Sequence, residues 1–190
     1  MAILLTGFEP FNGAEINPSW EAVQLVPEEI DGHRVHRMQL PVVYGEAAEM
    51  LLAEIRRLEP VAVLSCGVAG GRKAVTPELV ALNYRMAKIA DNKGKKYEGE
   101  RIEKDGETAL MTDLPLQQMA NDIREANIPA EVSLSAGAYV CNDVYYALLR
   151  HQAEEGYKGL FVHVPEECVV SFEDAARALT LCARWMLKTE

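Results

Sequence analysis

Val61 to Cys66, Val-Ala-Val-Leu-Ser-Cys, is an unbroken apolar run closed by Gly67. A run this short and without alternation suits a strand covered on both faces, as in a parallel sheet. Just upstream, Ala47, Ala48, Leu51, Leu52, Ile55 and Leu58 recur at the spacing of an amphipathic helix over residues 44–58. Residues 2–6 (AILLT, ended by Gly7) and 159–164 (GLFVHV) repeat the buried-strand pattern. His33 to Leu40 alternates around Val35 and Met38 until Pro41 stops it. Asn17-Pro18 has the form of a helix start, an N-cap followed by proline at the first helical position. Further helices are predicted over 115–126, 139–155 and 172–188, with short strands over 132–134 and, bent at Pro77, over 74–84. Residues 91–108 are almost all polar and read as a long exposed excursion. Strands alternating with helices predict an α/β fold: a three-layer α/β/α sandwich around a mostly parallel (mixed) sheet, with residues 1–190 forming a single domain.

Composition narrows the function. With 190 residues, 49% of them apolar and 25% charged, the chain can bury a core without disulfides or a structural metal. A net charge of −10 argues against sequence-independent binding to nucleic acid or to an anionic membrane. No apolar run approaches the roughly 20 residues of a membrane span. The opening Met1-Ala-Ile-Leu-Leu lacks a basic n-region, so a soluble, cytoplasmic protein is expected. Cys66, Cys141, Cys168 and Cys182 show no CxxC spacing and no ligand-like distance to histidine, which predicts free thiols and no metal site.

In open α/β sheets, ligands gather beyond the carboxyl ends of the strands. The segments expected there are Gly7 to Phe11, Gly67 to Arg72, Ser135 to Cys141, and His163. Cys141 follows a small-residue turn at a predicted helix start, where the dipole and free amides favour a thiolate and can bind an oxyanion. The blander reading is a buried cysteine acting as a small hydrophobe. His163 ends an apolar strand on the same edge; a satisfied core histidine is its alternative. Together, Cys141 and His163 would suit covalent acyl transfer. Glu78, an acid among Pro77, Leu79 and Val80, is the candidate for orienting the imidazole, or else an exposed strand-end carboxylate. Gly67-Val-Ala-Gly-Gly-Arg-Lys73 lacks the Gly-Lys-Ser/Thr of a phosphate loop and reads as a turn. Lys93, Lys95 and Lys96 alternate with glutamates further on and read as a solvated loop.

A set of short segments then stands in a telling order: Thr6-Gly-Phe-Glu-Pro-Phe11, Asn17-Pro-Ser19, Leu40-Pro-Val-Val43, Gly67 to Arg72, Thr76-Pro-Glu78, Ala81-Leu-Asn83, Asp91-Asn92, Ser135-Ala-Gly137 through Cys141-Asn142, and His163-Val-Pro165. By these the chain resembles the type I pyroglutamyl peptidases (pyrrolidone-carboxylate peptidases) from Leu4 to about Pro165. The resemblance implies a cysteine exopeptidase that removes N-terminal pyroglutamate from peptides through an acyl-enzyme, with no metal or cofactor, as a cytoplasmic homotetramer. It implies Cys141 as nucleophile, His163 as general base and acid, and Glu78 as the group orienting the imidazole. It also implies that Phe8, Phe11, Val68 and Val140 contact the lactam ring. Lys88 takes the place of an arginine that the family uses near the oxyanion. Leu79 replaces a basic residue, and the family's stretch after His163-Val-Pro165 is replaced by Glu166-Glu-Cys-Val-Val170. Two alternatives stand beside this reading: a divergent relative hydrolysing another small cyclic or acyl amide, and a non-catalytic binder of blocked N-termini.

Overall fold

The computed structural model describes residues 1–188. The first half of the chain forms β1 (Ala2–Phe8), α1 (Pro18–Leu25), β2 (Glu29–Ile30), β3 (His33–Leu40), α2 (Glu46–Leu58) and β4 (Ala62–Val68). Short strands follow: β5 (Thr76–Pro77), β6 (Val80–Leu82), β7 (Arg85–Met86), β8 (Glu98–Glu100) and β9 (Ala109–Met111). The chain then builds α3 (Leu116–Glu125), α4 (Val140–Glu155), β10 (Lys158–Val164) and α5 (Phe172–Lys188).

The main sheet has the order β2-β3-β1-β4-β10-β5. Its four central strands are parallel, and the short edge strands β2 and β5 run antiparallel to their neighbours. The order reverses at β1, which has β3 on one side and β4 on the other. A crevice opens at the carboxyl ends of such a pair, because the chain leaves the two strands toward opposite faces.

Alternation along the central strands assigns the two faces. Ile3, Leu5, Leu64, Cys66, Leu160 and Val162 pack with residues of α1, α3 and α5. Their sequence neighbours Leu4, Val63 and Phe161 pack with residues of α2 and α4. Both sides of β4 are therefore apolar, which is why it carries no polar alternation. The α/β/α sandwich with a mixed, mostly parallel sheet is the architecture expected from the sequence.

Three expectations need correction. Residues 132–134 form no strand; they contribute only an isolated bridge from Ser133 to Glu78. Pro77 divides the stretch 74–84 between two separate sheets, β5 on β10 and β6 on β9. Residues 91–108 are more anchored than their polarity suggests. Tyr97 is buried and meets the Tyr44 ring edge-on at 4.8 Å. The Asp91 carboxylate accepts the backbone N–H groups of Tyr44, Lys93 and Lys95 at 3.1, 3.0 and 2.8 Å. One aromatic and one aspartate-centred turn thus fix a segment with little apolar surface of its own. No helix among the described residues is long and apolar enough to cross a membrane.

Candidate active site

The carboxyl ends of β1, β4 and β10 bring together residues that are far apart in sequence. His163 is the register partner of Gly67 across β10 and β4, one strand spacing of about 4.8 Å away. It lies on the same sheet face as Phe161, whose ring centroid is 4.9 Å from that of the imidazole. A Cβ built on Gly67 would lie 2.8 Å from Cys141 Sγ and 3.0 Å from the Phe161 ring. The sulfur at the start of α4 is therefore lowered onto bare backbone beside the histidine strand. None of the described side chains caps α4 at Tyr139. The Tyr139 carbonyl takes the N–H groups of Asn142 and Asp143 at 3.0 and 3.2 Å.

Glu78 is fully buried, and its Oε1 accepts from His163 Nδ1 at 2.7 Å. The same oxygen accepts from Arg72 Nη1 at 2.6 Å. Oε2 is buried with no hydrogen-bond partner among the described residues, the nearby Ser133 hydroxyl donating to the Ser135 carbonyl at 3.2 Å. The acid is fixed at its backbone as well: its N–H donates to the Phe161 carbonyl at 2.9 Å, and its carbonyl accepts from the Tyr145 hydroxyl at 2.8 Å.

Burial pushes the Glu78 carboxyl up, but the hydrogen bond and charge of His163 and the charge of Arg72 outweigh it, and the group stays below the usual range. Burial likewise pushes His163 down; Glu78 pulls it up, Arg72 adds to the depression, and the net shift is downward. The resting imidazole is thus neutral, with its proton on Nδ1 facing an ionised carboxylate and Nε2 left basic. For Cys141, burial and the negative charge of Glu78 push the thiol up to about 12, against smaller opposing effects of its own backbone N–H and of Arg72. The helix-start argument alone predicted a lowered thiol. Desolvation opposes that effect here.

Beside the sulfur lies a narrow slot of about 30 Å³ lined by Phe8, Phe11, Asn17, Val42, Val68, Tyr139, Val140 and Cys141. Phe8, Phe11, Val68 and Val140, the residues expected to contact the ring, all line this slot. Lys88 is exposed and lies outside the slot lining. A roomier groove of about 460 Å³ between α1, α3 and α5 shares no residue with this site.

Asn17, Val42, Tyr139 and Arg72 were missed as site residues. Asn17 has the signal of its capping role, and its Oδ1 accepts from Ser19 N at 3.1 Å. Its Nδ2 donates to the Glu9 carbonyl at 2.9 Å, which brings α1 to the slot. Val42 is held by its N–H donating to Glu9 Oε1 at 3.1 Å. That carboxylate oxygen also accepts from Asn92 Nδ2 at 2.7 Å, so one side chain ties three loops of the rim together. Tyr139 donates to the Ala90 carbonyl at 2.9 Å. No local pattern announces Arg72; only the folded chain brings its turn to Glu78.

The family model described as pyroglutamyl peptidase matches residues 1–183. The pyrrolidone-carboxylate peptidase of Lactobacillus acidophilus is 41% identical over 167 residues, covering 87% of this chain and 84% of that protein. The pyrrolidone-carboxylate peptidase of Thermosipho melanesiensis is 44% identical over 167 residues, covering 87% and 83%. Among solved structures, pyroglutamyl peptidase I from Bacillus amyloliquefaciens superposes with a TM-score of 0.92 at 33% identity, covering 100% of this chain and 97% of that one. The pyrrolidone carboxyl peptidase of Pyrococcus furiosus gives 0.91 at 35% identity, with 99% of each chain covered. Matched in sequence over residues 1–183 and in fold over its whole length, the chain belongs to the pyroglutamyl peptidase family.

Proposed function

We propose that this protein is a cysteine exopeptidase that removes N-terminal pyroglutamate from peptides, with Cys141, His163 and Glu78 as its catalytic set. The observation that carries the assignment is the buried 2.7 Å contact of Glu78 with His163, on a strand whose neighbour leaves room for Cys141 Sγ over Gly67. The apolar slot beside the sulfur supports the substrate. A pyroglutamyl ring is uncharged, so it suits walls of Phe8, Phe11, Val42, Val68 and Val140 with few polar partners.

His163 Nε2 takes the thiol proton as Sγ attacks the pyroglutamyl carbonyl carbon, giving a tetrahedral oxyanion. Amides at the start of α4 stabilise that charge. The imidazolium, steadied by ionised Glu78, passes its proton to the departing amine nitrogen as the C–N bond breaks and a thioester remains. Water then gives a proton to His163 and its oxygen to the acyl carbon. Pyroglutamate leaves, and the proton returns to sulfur.

Leu79 packs against the core on the side of α1, α3 and α5, and Lys88 is outside the slot, so neither departure from the family pattern favours a different ring. Following the family resemblance, the working protein is a homotetramer of the cytoplasm, which sedimentation and cell fractionation test. The primary test is hydrolysis of a pyroglutamyl arylamide by the wild type and by Cys141→Ser. Cleavage that disappears in the variant supports the reading. An inactive wild type, or an active variant, refutes it.

A further inference from the structure

We propose that Arg72 is a positioning residue of this site, a fixed cation that holds Glu78 ionised and thereby fixes the tautomer and orientation of His163. The proposal rests on the catalytic reading above but concerns a residue that touches neither the slot nor the sulfur. Arg72 leaves the Gly70-Gly71 turn after β4, with its N–H on the Ala69 carbonyl at 3.2 Å. Its guanidinium reaches three segments at once. Nη1 donates to Glu78 Oε1 at 2.6 Å and to the Thr76 hydroxyl, and Nη2 lies 3.4 Å from the Ser135 carbonyl. Thr76 in turn donates to the carbonyl of His163 at 3.3 Å. The acid, the strand of the base and the loop leading to Cys141 are therefore tied to one planar fork.

Charge gives this geometry its function. A fully buried carboxylate needs a compensating cation, and the buried imidazole is neutral at rest. Arg72 supplies that cation without titrating. Two donors converging on Oε1, one of them a cation, favour the ionised carboxylate, which places the imidazole proton on Nδ1 and leaves Nε2 basic. The charged and titratable groups around the imidazole are Glu78 from the segment after β5, Arg72 from the turn after β4, and Cys141 from α4. Tyr145, also from α4, reaches Glu78 through its backbone carbonyl. Of the two groups that act on His163, Glu78 pulls its pKa up and Arg72 pushes it down.

The test compares wild type, Arg72→Gln and Arg72→Lys by kcat and KM on a pyroglutamyl arylamide from pH 5 to 9. Site-resolved alkylation of Cys141 is followed over the same range. Removing the cation raises His163, so Arg72→Gln should lose more kcat/KM at the acid end of the range than at pH 8, the excess approaching tenfold per unit of displacement where the pH lies below both values. KM should change little, and Cys141 should alkylate more slowly. Arg72→Lys should restore the acid limb but keep a lowered kcat, since it lacks the second arm to Ser135. A loss uniform in pH, a loss expressed in KM, or a Lys variant with wild-type kcat overturns the proposal. If Arg72→Gln does not fold, the Lys variant decides on kcat alone. If the wild type fails to cleave the arylamide, the catalytic reading falls while the alkylation profiles still decide the role of Arg72: unchanged profiles refute it.

Discussion

A methyl group on Gly67 would stand 2.8 Å from the sulfur of Cys141. The other obstacle to such a group is the Phe161 ring, 3.0 Å away and held in the core. Relief therefore comes most easily from a rotation of the cysteine side chain.

Gly67→Ala should consequently fold and fail to work. Overpacking of this kind costs about 1–3 kcal/mol in stability. Activity should fall much further, because the displaced sulfur loses its line to the substrate carbonyl. Urea unfolding and arylamide hydrolysis on the same preparation check this. Full activity in a folded variant would show that the sulfur has room to spare.

Glu78→Gln keeps the size of the side chain and removes its charge. Loss of general-base alignment predicts a fall in kcat on the order of 10²–10⁴-fold. Since Glu78 raises His163, its removal should also carry the acid limb of kcat/KM to lower pH, opposite to the displacement expected for Arg72→Gln. The pH profiles of the two variants decide whether both act through the imidazole.

The two phenylalanines of the slot should separate stability from binding. Phe8 is 2% exposed and packs into the core, so Phe8→Ala should cost about 3–5 kcal/mol. Phe11 sits on the rim, its ring 6.1 Å from that of Tyr139. Phe11→Ala should leave the unfolding midpoint near wild type and raise KM about tenfold, a loss typical of one apolar contact group in a pocket. Thermal melts and saturation kinetics distinguish the two.

Stability itself should fall on acidification in two stages. His163 is depressed when folded, so below about pH 6.5 the unfolded chain takes up a proton that the folded one refuses. Glu78 is also depressed; its contribution is present above the ordinary carboxylate range and is lost as pH falls through its folded value. Denaturant unfolding between pH 8 and 4 should show the first decline near pH 6.5 in wild type. His163→Gln should lack it.

Most of the architecture was legible because β1, β4 and β10 are covered on both faces and so read as apolar runs, while α2 and α5 carry one-sided stripes. The strand-end placement of Cys141 and His163 followed from that layout. What stayed hidden depends on contacts without a local signature. Ser133 makes only an isolated bridge to Glu78, its N–H on the Pro77 carbonyl and its carbonyl accepting from Leu79 N–H, which no propensity records. The polar segment around Asp91 is held by its turn and by Tyr97 rather than by apolar periodicity. Arg72 looked like the end of a glycine turn because its partner lies on another strand. The raised thiol of Cys141 reflects burial, and a helix start seen in sequence carries no information on that.

Glu78, the acid of the proposed catalytic set, directly follows β5, a two-residue strand at the edge of the main sheet, whereas His163 rides on a seven-residue interior strand. Edges held by few ladder bonds open at lower free-energy cost than the sheet behind them. Warming should therefore fray this border first, parting Glu78 from the imidazole while the four parallel strands remain intact. Catalysis would fade reversibly several degrees before circular dichroism registers melting, and cooling would restore it without refolding. Durability of the enzyme at elevated temperature is then governed by a short margin of the sheet rather than by its interior.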